Sequence, residues 1–576
     1  MSERTKQGMK VLQAALVLGV LGDALMRAQP WGLNVLLWVG AIVAAMVALL
    51  ARWHRRRALS GESHLLLVTI LLCAAAFAWR DSLALNFLAG VGMLTALALM
   101  AWRARGGQLR RAGLTEYALA LATAGVNAFF FGFPALLMDV QWKQVPRSKW
   151  TRHFRAIALG AVMALPPLIL FGGLLMSADA AFSGLVGDLF GGNHEEALGH
   201  ILLAFALAWL AGGFLRGLLL GREVKMMDGR VVPPVYAQQV GNTVAEPLSL
   251  SAPPLAIKAE PLRLGIVEVG VTLGLLNLLF LTFVLSQLRY YFGDASLVQG
   301  SDGLTFAEYY RRGFFELVTV AALVLPLLLG LHWLLRKGNA AHERVFRLLA
   351  GAQVFLLFVM MASAVRRMLL YQREYGLTEQ RLYTTAFMAW LALVFIWFVA
   401  TALRGRREQF ACGALVAGLL IIAALHVINP DALIVRVNMA HMREGRFFDV
   451  NYASSLSADA TPALMEALAS LNEMDRTALA ANLLRNREAQ GGVDWRSWNW
   501  SRSQSRRLVQ ENADALRAMK TLPALDRVNE AQLIEQQSVE TVSQDKPPAM
   551  QGQMSARKNA SGARSKARVA PVRRRR

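Results

Sequence analysis

Two stretches of the chain concentrate side chains able to hold a charged ligand or move a proton. The first contains Arg289, Tyr290, Tyr291, Glu308, Tyr309, Tyr310, Arg311, Arg312 and Glu316; the second contains Arg366, Arg367, Tyr371, Arg373, Glu374, Tyr375, Glu379, Arg381 and Tyr383. Seven of the ten tyrosines fall in these two stretches, so the clustering is not a matter of overall composition. Glu308, Arg312 and Glu316 recur every four residues, which on a helix makes one charged ladder. A water-filled vestibule for an anionic or sugar-bearing ligand would use such groups. An aromatic belt would use them as well, with arginines on lipid phosphate and tyrosine rings at the wet boundary. The candidate site is therefore Arg289, Tyr290, Glu308, Tyr309, Arg312, Glu316, Arg366, Arg367, Glu379 and Arg381, with both readings open.

Asp23, Arg216, Glu268 and Asn277 interrupt otherwise apolar runs. Polar groups at such positions are costly and therefore informative. Pairing across helices, for example Glu268 with Arg216, is the structural expectation; a path lined by Glu268, Asn277, Arg216 and Glu316 is the functional alternative. A third cluster is Asp494 to Arg502, where Trp495, Trp498 and Trp500 alternate with Arg496 and Arg502. Arginine with tryptophan suits sugar stacking, cation–π contacts or a bilayer surface. The same tryptophans could instead close the core of a small helical region. Nucleic acid binding also fits this pattern, but only if that segment lies on the cytoplasmic side.

Catalytic signatures are missing. The chain has no GxxxxGK[ST] phosphate loop, no GxSxG elbow and no Ser/His/Asp arrangement. Asp179, Asp188, His194, Glu195, Glu196 and His200 crowd one loop but match no HExxH spacing, so no metal is expected. The two cysteines, Cys73 and Cys412, both sit in apolar runs and form neither a disulfide framework nor a CxxC site. No cofactor is expected, and the balance points away from an enzyme.

The elements that must position these residues are membrane helices. The chain has 576 residues, of which 55% are hydrophobic and 17% charged, against about 25% charged in soluble proteins. Mean hydropathy is +0.38. Apolar runs long enough to cross a hydrocarbon core are expected at about 11–27, 31–51, 63–79, 83–102, 156–177, 198–220, 264–288, 313–335, 346–368, 383–403 and 409–428. The first is expected to be a retained span rather than a cleaved signal, because Asp23 interrupts it and no small-residue cleavage site follows.

Loop charge sets the orientation. Loops 142–155, 221–263, 336–347 and 404–407 carry 17 basic residues, and the opposing loops 178–196, 289–312 and 366–381 carry 7. The first set belongs inside. Arg103 to Arg111 and Lys143 to Arg155 both demand the inside, so Tyr117–Leu137 between them is expected not to cross. Its Asn127, Gly132 and Pro134 suit a re-entrant or in-plane element; an ordinary span with an inverted second half is the alternative. Eleven crossings put the N-terminus in the cytoplasm and the C-terminus outside.

The expected fold is thus an all-α polytopic bundle of about 11 spans plus one re-entrant or in-plane element. Its parts are a four-span region (1–115), the ambiguous element and basic loop (116–155), a seven-span core (156–428), an extracytoplasmic helical region (429–535) and a disordered basic tail (536–576). In the helical region Thr461-Pro462 reads as a cap and first-turn proline, Asp475 as a second cap, and 502–521 as a third helix. The last thirty residues hold nine basic groups and no acid, which suits anionic partners.

Several runs carry a family likeness: Leu276-Asn277-Leu278-Leu279-Phe280 through Gln287-Leu288-Arg289-Tyr290, Ala307-Glu308-Tyr309, and Arg312-Gly313-Phe314-Phe315-Glu316-Leu317. Tyr375-Gly376-Leu377-Thr378-Glu379, Arg381-Leu382-Tyr383 and Asn429-Pro430-Asp431 continue it. Together they resemble uncharacterised bacterial multi-pass membrane proteins carrying a domain of unknown function, the 4173 family or its sibling 4153 family. The likeness is clearest over about 260–440. It implies a bacterial inner-membrane location and assigns no site residue. The leading expectation is a non-enzymatic envelope scaffold, sensor or partner-binding component, with the lipid bilayer, anionic envelope polymers or another envelope protein as partners. A transporter or flippase for an anionic or lipid-linked substrate, and a membrane-embedded transferase using Glu308, Glu316 or Glu379, are the alternatives.

Overall fold

The computed structural model describes residues 2–53, 61–130, 132, 193–220, 226–227, 230–231, 265–292, 314–335, 340–489 and 494–520. The helices of the membrane part are α1 (Glu3–Met26), α2 (Leu33–Arg52), α3 (Glu62–Trp79), α4 (Leu83–Ala104), α5 (Leu114–Phe130) and α6 (Asn193–Leu219). They continue with α7 (Ile266–Phe292), α8 (Phe314–Leu334), α9 (Ala340–Tyr375), α10 (Glu379–Thr401) and α11 (Phe410–Ile428). Among the described residues ten helices are long and apolar enough to cross a membrane, all of these except α5. They match ten of the eleven expected spans; the expected span 156–177 lies outside the described residues.

Small residues let α1 and α6 approach closely, the packing that replaces hydrophobic drive between helices in lipid. A Cβ on Gly19 would lie 2.4 Å from the Ala204 carbonyl oxygen and from Ala208 Cβ. Asp23 Oδ2 stands 2.6 Å from His200 Nδ1, and Arg27 Nη2 donates to the Glu196 carbonyl at 3.3 Å. The start of α6 therefore lies beside the end of α1, and the two run antiparallel.

Helix α5 begins at the other end of the bundle. There the Tyr117 hydroxyl donates to the Leu109 carbonyl and Leu109 N to Glu62 Oε2, both at 3.0 Å. Its far end meets α6 at Trp209, whose Nε1 donates to the Phe129 carbonyl at 2.9 Å. Trp209 is about 15 Å along the axis from Leu219, so the described part of α5 stops at mid-depth. Residues 133–137 of the ambiguous element lie outside the described residues.

Helices α7 to α11 form a second packing group. Asn277 Nδ2 of α7 donates to the Leu349 carbonyl of α9 at 3.0 Å, and the His332 and Phe346 rings stack at 4.6 Å between α8 and α9. One apolar core joins α1–α6 and the start of α11, and a second joins α7–α11.

After Ile428 the described residues form six helices: α12 (Pro430–Arg443), α13 (Val450–Ser455), α14 (Thr461–Ala467), α15 (Glu473–Ala489), α16 (Trp500–Glu511) and α17 (Ala513–Lys520). They enclose a third core of Leu, Ala, Val, Ile and Met with Phe448. Three local expectations need correction. Thr461 is not the cap: the 3-10 turn Ala458–Ala460 runs directly into α14, and the Thr461 hydroxyl turns aside to Ser505 Oγ at 2.8 Å. The cap of α15 is Asn472, which accepts from Asp475 N at 2.8 Å. The single third helix breaks at Asn512 into α16 and α17. Nor do the tryptophans close this core, since Trp495, Trp498 and Trp500 are 65%, 40% and 53% exposed. The tail 536–576 lies outside the described residues.

Candidate functional site

The six C-terminal helices sit on the bundle end that holds the turns 27–32, 80–82 and 376–378. What fastens them there is a cluster of buried charges. At its centre Asp459, 2% exposed, comes from the 3-10 turn before α14. Its Oδ2 accepts from Asp81 N at 2.7 Å and Ser82 N at 2.9 Å, and its Oδ1 from Arg80 Nη1 at 3.3 Å. Ser501 Oγ donates to the same Oδ1. A buried carboxylate is tolerable only when its lone pairs are filled by charge-assisted bonds of this kind.

Arg502 of α16 completes the lock. Its Nη1 meets Asp81 Oδ1 at 2.7 Å, and its Nη2 donates to the carbonyls of Trp31 at 2.9 Å, Ser497 at 2.8 Å and Pro30 at 3.3 Å. Asn499 caps α16 by accepting from Arg502 N at 3.0 Å, while its Nδ2 donates to Phe77 and Arg80 carbonyls at 2.8 and 2.9 Å. Leu33 N, an otherwise orphaned donor at the start of α2, reaches the Trp498 carbonyl at 2.8 Å. Gly32 is required by this approach, because a Cβ there would lie 2.4 Å from the Trp498 oxygen.

Behind Asp459 lies a second carboxylate. Asp431, in the first turn of α12, is 1% exposed; its Oδ2 accepts from Ser457 N at 3.2 Å and from Ser457 Oγ, and its Oδ1 has no partner among the described residues. Ser457 Oγ also stands 3.2 Å from Asp459 Oδ2. One hydroxyl proton cannot serve two carboxylates. Burial accordingly pushes the Asp431 carboxyl up to about 6, against the lowering effect of the Ser457 hydroxyl, with the Glu379 and Asp459 carboxylates adding to the rise.

A cleft of about 230 Å³ opens beside this cluster, lined on its polar side by Asp81, Ser454, Ser457, Thr461, Asn486, Ser505 and Arg506. Arg506 lies against the Arg502 carbonyl at 3.3 Å, and burial lowers its guanidinium, with Arg502 adding repulsion. The arrangement can hold a small polar molecule. Among the described residues no group of three or more His, Cys, Asp or Glu could hold a metal ion.

The residues singled out in the sequence are dispersed. Arg381 stacks over the Tyr371 ring at 4.1 Å and donates to the Tyr375 carbonyl at 2.9 Å and to the Gly376 carbonyl. Glu379 N donates to Tyr452 Oη at 2.8 Å. Arg366 and Arg367 lie on α9, Glu316 is exposed in the first turn of α8, and Arg289 and Tyr290 fall in the last turn of α7. Glu308, Tyr309 and Arg312 lie outside the described residues. Of the intramembrane set, Asp23 pairs with Arg27 at 3.2 Å and His200 at one end of α6, whereas Arg216 occupies the last turn at its other end. Glu268 is exposed in the first turn of α7, and Asn277 bonds to α9. These four do not meet at one depth.

Sequence reasoning missed Asp81, Asp431, Asp459 and Arg502 as a group. The available signal was weak: an aspartate in a three-residue turn, Arg80-Asp81-Ser82, and another in Asn429-Pro430-Asp431.

Fold and site together define a polytopic integral membrane protein of the all-α class with a helical cap locked on one end of its bundle. The chain belongs to the family described as domain of unknown function (DUF4153), which matches residues 66–467. That match holds Asp81, Asp431 and Asp459 and stops before Asn499, Ser501 and Arg502. No curated protein and no solved structure gives a match.

Proposed function

We propose that this chain is a non-enzymatic cell-envelope protein of a bacterial inner membrane, a scaffold or sensor whose rigidly docked cap presents a partner-binding surface on the extracytoplasmic side. The observation that carries this reading is the Asp459 cluster, which ties cap to bundle through bonds that a freely tethered domain would not need. Loop charge supports the orientation. The capped end carries Arg27 and Arg80 in its first two turns, and the opposite end carries Arg103, Arg105, Arg110 and Arg111 and then Arg404, Arg406 and Arg407. The positive-inside rule puts the second set in the cytoplasm, with the N-terminus.

The mid-depth end of α5 supports a non-crossing element at 117–137. With α5 beginning at the basic end and α6 beginning at the capped end, one crossing between them, the expected span 156–177, restores the alternation. Exposed Trp495, Trp498 and Trp500 lie beside exposed Trp31 and Trp79, which suits a cap seated at the lipid boundary. The bilayer is then its first partner, and anionic envelope polymers or another envelope protein meet the surface above. On this placement nucleic acid is excluded.

Alkaline phosphatase fused after Met442 tests the reading, with fusions on both sides of Tyr117–Leu137. Activity after Met442, and none at either flank of the element, is expected. An inactive phosphatase fusion after Met442, together with fluorescence of a fluorescent-protein fusion at the same position, overturns the orientation. Deleting 541–576 should weaken partner recovery more at low salt than at high salt, because exposed charge contacts are screened; unchanged recovery removes the tail from the binding surface.

A further inference from the structure

We propose that the uncapped end of the bundle carries a binding site for an anionic phospholipid. Between α10 and α11 runs an apolar groove of about 530 Å³ whose walls include Leu393, Ile396, Trp397, Val416 and Leu420. Arg110 and Gln409 line its polar end. Leu420 lies about 15 Å along the axis from Gln409, so the groove descends roughly half the hydrocarbon thickness. Trp397 forms one side by lying across Gly413, where a Cβ would come within 1.9 Å of its Nε1, and it donates to the Gln409 carbonyl at 3.2 Å. The groove has the depth and chemistry of a seat for one acyl chain.

Charge chooses the lipid. The turns Leu109–Arg111 and Arg407–Gln409 pack against each other at the mouth. Residues 103–111 and 404–408 contribute seven arginines and one glutamate. Glu62 offsets part of this, at 3.6 Å from Arg110 and 4.0 Å from Arg103. A zwitterionic headgroup brings no net charge to such a mouth. A phosphatidylglycerol-type headgroup does, and basic pockets between membrane helices bind such lipids on this ground. The site does not depend on the role assigned to the cap.

The test is native mass spectrometry of the full chain released from detergent, titrated with phosphatidylglycerol and phosphatidylcholine of identical acyl chains. Wild type should retain phosphatidylglycerol about 25-fold over phosphatidylcholine, with a loss of about fivefold for each arginine removed. The Arg110→Ala, Arg407→Ala double substitution should bring the ratio close to unity, while Arg110→Lys, which keeps the charge, should preserve it. Val416→Trp, which fills the groove, should lower retention of both lipids. Equal retention by wild type overturns the proposal, and so does a preference that survives the double substitution. Displacement of the phospholipid by soluble glycerol phosphate at equal concentration would show that the headgroup binds without the groove, and also overturns it.

Discussion

Asp81 and Arg502, 421 positions apart in the chain, meet in an ion pair of 2.7 Å between a three-residue turn of the bundle and the cap. Both are largely shielded, and Arg502 is only 7% exposed. Removing one partner of such a pair strands the other charge, which costs more than the pair itself contributes. Arg502→Met should therefore destabilise the cap by about 2–4 kcal/mol, read as faster proteolysis between 430 and 500 at constant detergent. Asp81→Asn combined with Arg502→Met should cost less than the sum of the two single changes. Strict additivity would show that the pair is not coupled.

Asp431 makes the cap sensitive to pH. Its folded-state carboxyl, near 6, lies above the ordinary value of about 3.9. Its contribution is therefore full below about pH 4, is lost as pH rises through about 6, and stays lost above. The shift corresponds to about 3 kcal/mol. Asp431→Asn should raise the unfolding temperature at pH 7.5 and change it little at pH 4. Identical pH slopes in variant and wild type would remove Asp431 as the source.

Two glycines of the same hairpin separate close approach from helix propensity. A Cβ on Gly32 collides with the Trp498 carbonyl, whereas one on Gly40 meets nothing within 4 Å. Gly32→Ala should break the Leu33–Trp498 hydrogen bond and loosen the cap by about 1–3 kcal/mol. Gly40→Ala should be neutral or slightly stabilising. Equal effects of the two changes on cap proteolysis would contradict the docking geometry.

The three cap tryptophans provide an optical readout of where the cap sits. In vesicles containing phospholipid brominated near the headgroup, replacing Trp495, Trp498 and Trp500 by serine should abolish part of the quenching seen in wild type. A variant whose quenched fraction is unchanged would place those rings in water, away from the lipid boundary.

The membrane helices were legible because about twenty apolar residues in a row have few other uses. Their ends were less so. Helix α9 extends from Ala340 to Tyr375, beyond the expected 346–368, because polar terminal turns add no hydropathy signal yet continue the same hydrogen-bond ladder. The charged cluster left only a weak trace. Asp81, Asp459 and Arg502 come from three remote segments, and neither periodicity nor spacing records a contact across hundreds of residues. The Arg/Tyr/Glu runs drew attention by density, but Arg381 spends its donors on the Tyr375 and Gly376 carbonyls at the end of α9. The tryptophans were conspicuous for their interleaving with arginine, and composition alone could not decide between the core and the surface, where they are exposed.

The bond from Leu33 to Trp498, like that from Asp81 to Arg502, joins a hairpin to a segment that the ribosome makes more than 400 residues later. At about 5–20 residues per second, Asp81 leaves the ribosome roughly 20–80 s before its arginine exists. The turns must wait in an incomplete state throughout that interval, and the cap closes over them only after Arg502 has been made. Docking thus acts as a late step of biogenesis, separating a chain that has passed Arg502 from one that stalled before it.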